Sequence, residues 1–204
     1  MRYIYVVDDD GPMRASLRSL LSTRKNTLVR GFESGDAFLA DVAELEPGVV
    51  LLDVNMPGRS GLEVLRELKS EGSRFVPIVI TGQGNVAMAV HAMKHGALDF
   101  VEKPYGHRDL LEIVDTAFIH LEQSAEIAER EKGAKDKIGK LSARELDVLM
   151  GLIAGRPNKV IAYELEISPR TVEIYRANLM TKLKVRSLSE ALRIAFAAGL
   201  ISDE

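Results

Sequence analysis

Three carboxylates stand in a row in VVDDDGPM, residues 6–13, directly after an apolar run. Clustered at the end of a buried strand, Asp8, Asp9 and Asp10 would repel one another strongly unless a positive group neutralised them. A divalent cation is the first candidate, because Mg²⁺ takes hard oxygen ligands. Two chemistries use such a cluster. In one, Asp8 and Asp10 are the nucleophile and the acid/base partner of a phosphohydrolase. In the other, Asp8 and Asp9 wall a pocket whose phosphorylated aspartate lies elsewhere in the chain. Three further residues bear on the choice: Asp53 closes VVLLD, Thr81 closes FVPIVIT and Lys103 closes LDFVEK. A carboxylate is a competent nucleophile for making an acyl phosphate. Phosphoryl transfer asks the protein chiefly for positioning and charge neutralisation, which a metal ion and an ammonium supply.

These residues need elements that bring them together. YIYVV (3–7), TLVRGF (27–32), VVLLDV (49–54), FVPIVIT (75–81) and LDFVEK (98–103) are strand-sized. Several are apolar throughout and rich in β-branched residues, as in strands covered on both faces. Helical patterns lie at 12–23, 34–44, 60–70, 85–95 and 107–121. Five strand–helix units predict a doubly wound parallel sheet. Ligands in such sheets bind beyond the C-terminal strand ends, where the strand order reverses. Asp8, Asp9, Asp53, Thr81 and Lys103 would all arrive at that edge. One strand-end Asp commonly caps the next helix, but capping does not account for the whole set.

The chain has 204 residues, 46% apolar and 28% charged, with a net charge of −3. That is a globular composition with room for two small domains. It lacks cysteine, which excludes disulfides, thiolate metal sites and thiol catalysis. The N-terminal apolar run is too short for a signal peptide, and no run approaches the length of a membrane span. A cytoplasmic protein without membrane association is expected. Charge is uneven: residues 1–120 carry a net −4 and residues 141–204 a net +1. Within 155–186, seven basic residues face three acidic ones, which suits a polyanionic partner for that segment.

Residues 122–140, EQSAEIAEREKGAKDKIGK, are charged and interrupted by Gly133 and Gly139. They predict a partly helical linker between a domain at 1–121 and one at 141–204. Leu110, Val114, Ala117, Leu121, Ala125 and Ala128 recur at helical steps. Either they form a dimerising stripe, or the helix packs on its own domain and then frays. The last part predicts helices at 142–155, 157–165, 168–184 and 187–198. Ser142-x-x-Glu145 and Ser187-x-x-Glu190 are capping boxes, and Ser168-Pro169 is an N-cap followed by Pro at the first helical position. The short connection at 166–168 is that of a helix-turn-helix.

LLDVNMPGRSGLEVL, with VVDDD, ITGQG and DFVEKPY in series, resembles a response-regulator receiver domain with the CheY-like fold. The resemblance covers about the first 120 residues. It implies that Asp53 is the phospho-acceptor and that a phosphohistidine on a sensor histidine kinase is the donor. Asp9, Asp53 and the backbone carbonyl of Asn55 would bind Mg²⁺, with Asp8 acting through water. Lys103 would pair with the phosphoryl oxygens, Thr81 would hydrogen-bond them, and Phe100 would turn inward behind Thr81. A cis bond between Lys103 and Pro104 is common in the family. Gln83 and the Asn55 side chain would flank the phosphoryl group and tune its lifetime. The haloacid-dehalogenase type of phosphohydrolase fits poorly: Pro12 stands where that family has Thr, its later acidic string is missing, and Asp53 would have no role. His91 and His95, four apart on a helix, read as surface histidines, because the Glu of a zinc-protease motif is missing.

LSARELDVLMGLIAGRPNKVIAYELEISPRTVEIYRANLMTKLKVRSLSEALRIA resembles the helix-turn-helix of NarL/FixJ/LuxR-type regulators, most of all the FixJ type. The helix at 168–184 would bury Val172, Tyr175, Leu179 and Leu183 and turn Arg170, Glu173, Ile174, Ala177 and Asn178 outward. By resemblance it is the recognition helix. Glu173 would accept from a cytosine amine and Ile174 would touch a thymine methyl. Lys159, Thr171, Arg176 and Lys182 would contact phosphates.

The combined expectation is a CheY-like five-stranded α/β receiver joined to a small all-α four-helix helix-turn-helix domain. It would be a transcriptional regulator rather than an enzyme, phosphorylated on Asp53, which then dimerises and binds inverted-repeat DNA. The receiver would dimerise through helices 85–95 and 107–121, one or both, and the DNA-binding domains would pair through the last helix. The alternative is a constitutive DNA-binding protein whose receiver is only a docking module or phosphate sink.

Overall fold

The structure is a computed structural model that describes residues 1–82 and 86–201, without the side chains of Ser70, Glu71 and Ser73. Two compact units, Met1–Ala125 and Glu126–Glu204, divide the chain.

The first unit alternates strands with helices: β1 (Arg2–Val7), α1 (Gly11–Leu21), β2 (Thr27–Phe32), α2 (Gly35–Asp41), β3 (Gly48–Asp53), α3 (Gly61–Leu68), β4 (Phe75–Thr81), α4 (Val86–Lys94), β5 (Asp99–Glu102) and the start of α5 (His107–Ile138), whose last residues belong to the second unit. The sheet order is β2-β1-β3-β4-β5, and every pairing is parallel. The order reverses between β1 and β3, which is the switch point the sequence pattern predicts.

Alternation along each strand divides the core into two layers. Tyr5, Val7, Val50, Leu52 and Val79 meet Phe38, Val64, Leu65, Leu68 and Ala92 from α2, α3 and α4. Ile4, Val6, Val49, Leu51, Ile78 and Ile80 meet Leu17, Leu21, Leu110, Val114, Ala117 and Phe118 from α1 and α5. Both faces of β3 and β4 are thereby covered, which is why every residue of those strands is buried. β5 is shorter than the LDFVEK run. It stops at Glu102 because Pro104 has no amide hydrogen to extend the ladder.

Helix α5 decides between the two readings of its stripe and corrects the fraying. Leu110, Val114 and Ala117 are fully buried against the sheet, so this part of the helical stripe is core and not a dimer surface. Only Ala125 and Ala128 are exposed. Nor does the helix fray near the end of the first unit: it continues through Gly133 to Ile138. Residues 122–132 are nearly all good helix formers, and one interior glycine costs about 1 kcal/mol, which such a run absorbs.

In the second unit, α6 (Ala143–Ile153), α7 (Asn158–Glu164), α8 (Pro169–Leu183) and α9 (Leu188–Ala197) enclose Val148, Leu149, Leu152, Ile161, Ala162, Val172, Leu179, Leu183 and Ala191. The N-caps foreseen at Ser142, Ser168 and Ser187 all accept a backbone hydrogen bond three residues on. Gly151 lets α6 and α7 touch: a Cβ there would lie 2.8 Å from the Ile161 side chain.

Candidate functional site: an acidic strand-end pocket and an exposed helix

Register carries four strand ends to one edge. Val7 pairs with Leu52, Asp53 with Ile80 and Thr81 with Glu102. The Lys103 amide then donates to the Thr81 carbonyl at 2.8 Å. Asp8, Asp9, Asp10, Asp53, Asn55, Gly82 and Lys103 line an open cavity of about 410 Å³ there.

Each pocket side chain has a distinct task. Asp10 caps α1, its Oδ1 accepting from the Met13 amide at 3.2 Å. Asp8 is buried; its Oδ1 accepts from the Asp10 amide at 2.8 Å and its Oδ2 from Lys103 Nζ at 2.9 Å. Asp53 is buried too; its Oδ1 accepts from the same Nζ at 2.9 Å and its Oδ2 from the Asn55 amide at 2.7 Å. Asp9 is exposed beside them, and Thr81 is fully buried behind. Phe100 is half-buried and packs on the core layer that includes Val79 and Ala92. The Lys103–Pro104 peptide bond is cis. Gln83, foreseen beside the phosphoryl group, lies outside the described residues.

Gly61, in the PGRSGLEVL stretch, has a steric reason: a Cβ there would collide with the Asp53 carbonyl oxygen. Glycine at the first turn of α3 therefore lets the loop after Asp53 fold back against its own helix, where the Gly61 amide donates to the Val54 carbonyl.

The pocket is unbalanced electrically. Burial raises the pKa of Asp53, and the Asp8 carboxylate adds to the rise, although Lys103 and the Asn55 amide oppose it. For Lys103, burial disfavours the ammonium, but its bonds to Asp53 and Asp8 outweigh that and raise its pKa. Two buried carboxylates share one lysine, with the exposed Asp9 and Asp10 at the rim. Among the described residues no three His, Cys, Asp or Glu side chains form a complete metal cage. The donor set nevertheless fits Mg²⁺, which binds through one or two carboxylates and otherwise keeps water or takes phosphate oxygens.

One residue at this edge escaped the sequence reading. The Arg14 guanidinium donates to the Asp8 backbone carbonyl at 2.7 Å. No motif signals it, because an arginine on an amphipathic helix ordinarily faces water.

The histidine pair differs from its expectation. His91 and His95 are half-buried, and their rings stack with centroids 4.1 Å apart. Burial lowers the His91 pKa, with His95, Arg66 and Lys94 adding to the effect.

In the second unit, α7 and α8 meet at a turn where Glu166 has φ 56°. Helix α8 buries Val172, Leu179 and Leu183 and exposes Arg170, Glu173, Ile174, Ala177 and Asn178. Ile174 is 54% exposed, a large apolar side chain offered to solvent. Tyr175 and Thr171 are half-buried, and Lys159 is exposed on α7. Two of the foreseen phosphate contacts already have partners. Arg176 Nη1 donates to Asn158 Oδ1 at 2.7 Å, and Lys182 Nζ to the buried Glu145 carboxylate at 2.6 Å. The Lys182 bond and the Ser142 amide together lower the Glu145 pKa.

Comparison with known proteins agrees with both halves. Residues 4–115 match the response regulator receiver domain, and residues 139–195 match the bacterial regulatory proteins of the luxR family. The transcriptional regulatory protein FixJ of Bradyrhizobium diazoefficiens is 44% identical over 201 residues, 98% of each chain. FixJ of Azorhizobium caulinodans is 46% identical, over 97% of this chain and 93% of that one. Among solved structures, the response regulator StyR superposes with a TM-score of 0.80 at 33% identity, covering 96% of this chain and 98% of StyR. Full-length FixJ from B. japonicum gives 0.59 at 43% identity, with 98% of each chain covered. No helix among the described residues is long and apolar enough to cross a membrane. A phosphate-ready strand edge in one unit and an exposed helix-turn-helix in the other thus have one explanation: the chain belongs to the two-component response regulators, as a phosphorylation-controlled transcriptional regulator with a LuxR-type DNA-binding domain.

Proposed function

We propose that Asp53 accepts a phosphoryl group from a phosphohistidine on a sensor histidine kinase. The carboxylate forms the new P–O bond as the P–N bond to the imidazole breaks. The observation that carries this is the Lys103 ammonium, bonded at once to Asp8 and Asp53. It sits where phosphoryl oxygens attached to Asp53 would need a cation. Asp9, Asp53 and the Asn55 carbonyl would hold Mg²⁺, with Asp8 reaching it through water. When bound, the ion would neutralise charge on the phosphoryl oxygens. Thr81 would donate its hydroxyl to the modified Asp53, and Phe100 would follow it inward. The Asn55 side chain, and Gln83 by resemblance, would set how long the phosphoryl group lasts.

Phosphorylation would bias two receiver states toward a homodimer. An exposed strip on α4 supports that face, with Val86 81%, Val90 47% and Met93 49% exposed. Phe196, half exposed on α9, offers a second surface for pairing the DNA-binding units. A two-fold dimer reads an inverted repeat. On the DNA, Arg170, Glu173, Ile174, Ala177 and Asn178 would enter the major groove. Lys159, Thr171, Arg176 and Lys182 would meet phosphates, the last two after leaving Asn158 and Glu145. Such a protein works in the cytoplasm and turns over no substrate of its own.

The test is molecular size and promoter binding, with and without acetyl phosphate or beryllofluoride in Mg²⁺, for wild type and Asp53→Asn. Wild type should dimerise and bind more tightly on treatment, and the variant should do neither. Equal binding by both proteins under every condition would leave a constitutive DNA-binding protein with a docking receiver.

A further inference from the structure

We propose that Arg14 is a positioning residue for the metal edge of the phosphorylation pocket. The inference rests on the reading of Asp53, Asp9 and Mg²⁺ above and adds to it a residue outside the five pocket side chains.

The Asp8–Asp10 turn must aim two carboxylates at one point while its backbone leaves the sheet. The Asp8 amide is fixed by the Phe32 carbonyl of β2 at 3.2 Å. The Asp8 side chain is fixed by the Asp10 amide and Lys103. Its carbonyl, the hinge between Asp8 and Asp9, is fixed by Arg14 Nη1. That bond sets the orientation of the Asp8–Asp9 peptide plane, and hence the direction in which the exposed Asp9 carboxylate leaves the chain.

The guanidinium is held for this task. Arg14 is half-buried, and its stem lies across Gly31 of β2. A Cβ built at Gly31 would be 3.6 Å from Arg14 Cδ, in ordinary contact, so a branched side chain there would crowd the stem. Arg14 forms none of the ion pairs found among the described residues. Its charge therefore stands near a pocket in which carboxylates outnumber lysine. The guanidinium acts on Asp8 and Asp9 through the peptide and touches neither phosphoryl group nor metal; its own positive charge opposes Mg²⁺, so weaker Mg²⁺ binding in Arg14→Ala reads lost orientation and not lost charge.

The full chain provides the test. Mg²⁺ is titrated without any phosphodonor while the Asp9 and Asn55 amide shifts are followed by NMR. Arg14→Ala should raise the Mg²⁺ Kd about tenfold, the scale of losing a group that orients a metal ligand. Arg14→Lys should recover part of that. Gly31→Val should mimic Arg14→Ala, and the double variant should be no worse than either single one. With acetyl phosphate, the Mg²⁺ concentration for half-maximal labelling should rise while the rate at saturating Mg²⁺ stays nearly constant. An unchanged Mg²⁺ Kd in Arg14→Ala, with wild type still labelled on Asp53, would overturn this inference alone. Equal labelling of Asp53→Asn would overturn the acceptor assignment and this inference with it. Fully additive effects of Arg14→Ala and Gly31→Val would remove the link through the Arg14 stem.

Discussion

Two lysines in this protein reach buried carboxylates, and the two places are balanced differently. Lys103 stands between Asp8 and Asp53, with Asp9 at the rim. Carboxylates outnumber the ammonium there, and the Asp53 pKa rises under burial and the Asp8 charge. Lys182 meets a single carboxylate, Glu145, which also accepts from the Ser142 amide. There the charges match, and the Glu145 pKa falls. The first arrangement leaves a deficit of positive charge that a divalent metal ion would fill. The second is balanced in the free protein, where it joins the start of α6 to the end of α8. Burial of charge alone does not mark a functional site; burial with the charge left uncompensated does.

That contrast can be broken experimentally. The largest stability effect should come from Lys103→Ala in Mg²⁺-free buffer. It leaves two buried carboxylates without a cation and should cost about 2 kcal/mol, less than a fully enclosed pair loses because the cavity is open. Urea unfolding measures it, and added Mg²⁺ should shrink the difference from wild type. Loss of the same stability with and without Mg²⁺ would contradict the charge deficit.

Next is Glu145→Gln, which keeps the shape and removes the charge. It should lower the protection of α6 and α8 amides against hydrogen exchange by about 1.5 kcal/mol, the worth of a charged hydrogen bond. Its pH dependence has a definite sign. The folded pKa is lowered, so the stabilisation is present above the unfolded value of about 4.3 and lost as pH falls through the folded one.

Asp53→Asn should act oppositely and stabilise the receiver at pH 7 by about 1 kcal/mol, within the ordinary range for one substitution. Here the folded pKa is raised. The stabilising contribution is present below the unfolded value of about 3.9 and lost as pH rises through the folded one. The gain from Asn should therefore appear as the pH rises through the folded pKa and fade in acid. Destabilisation by Asp53→Asn would mean that Lys103 overcompensates the site.

The smallest effect tests backbone strain, away from either charge. Glu166 occupies the left-handed region in the helix-turn-helix turn, where glycine has no Cβ penalty. Glu166→Gly should raise the melting free energy of the second unit by about 0.5 kcal/mol after its entropy cost. Calorimetry of wild type and variant measures this.

Much of this was legible in the chain. The strands could be read because β-branched apolar runs suit a sheet covered on both faces. The helix starts at Ser142, Ser168 and Ser187 could be read because a cap is a local hydrogen bond, set within four residues. Asp8, Asp9, Asp53, Thr81 and Lys103 could be read because each ends a strand, and parallel βα units deliver all strand ends of one polarity to one edge. The continuity of α5 stayed open in the sequence, which showed a partly helical linker, because the neighbours of Gly133 decide whether its local cost of about 1 kcal/mol is absorbed.

The sequence by itself determined the elements, their order and the identity of the residues at the pocket edge, since these follow from periodicity and short-range capping. Only the tertiary structure decided which carboxylate does what. Asp8, Asp9 and Asp10 are identical in type and adjacent in the chain. One became a partner of Lys103, one an exposed ligand candidate and one a helix cap, according to where β1 ends and α1 begins. Arg14 on the Asp8 carbonyl and Lys182 on Glu145 were likewise decided in three dimensions. Neither contact has a sequence signature, because each depends on the distance between elements that only packing sets.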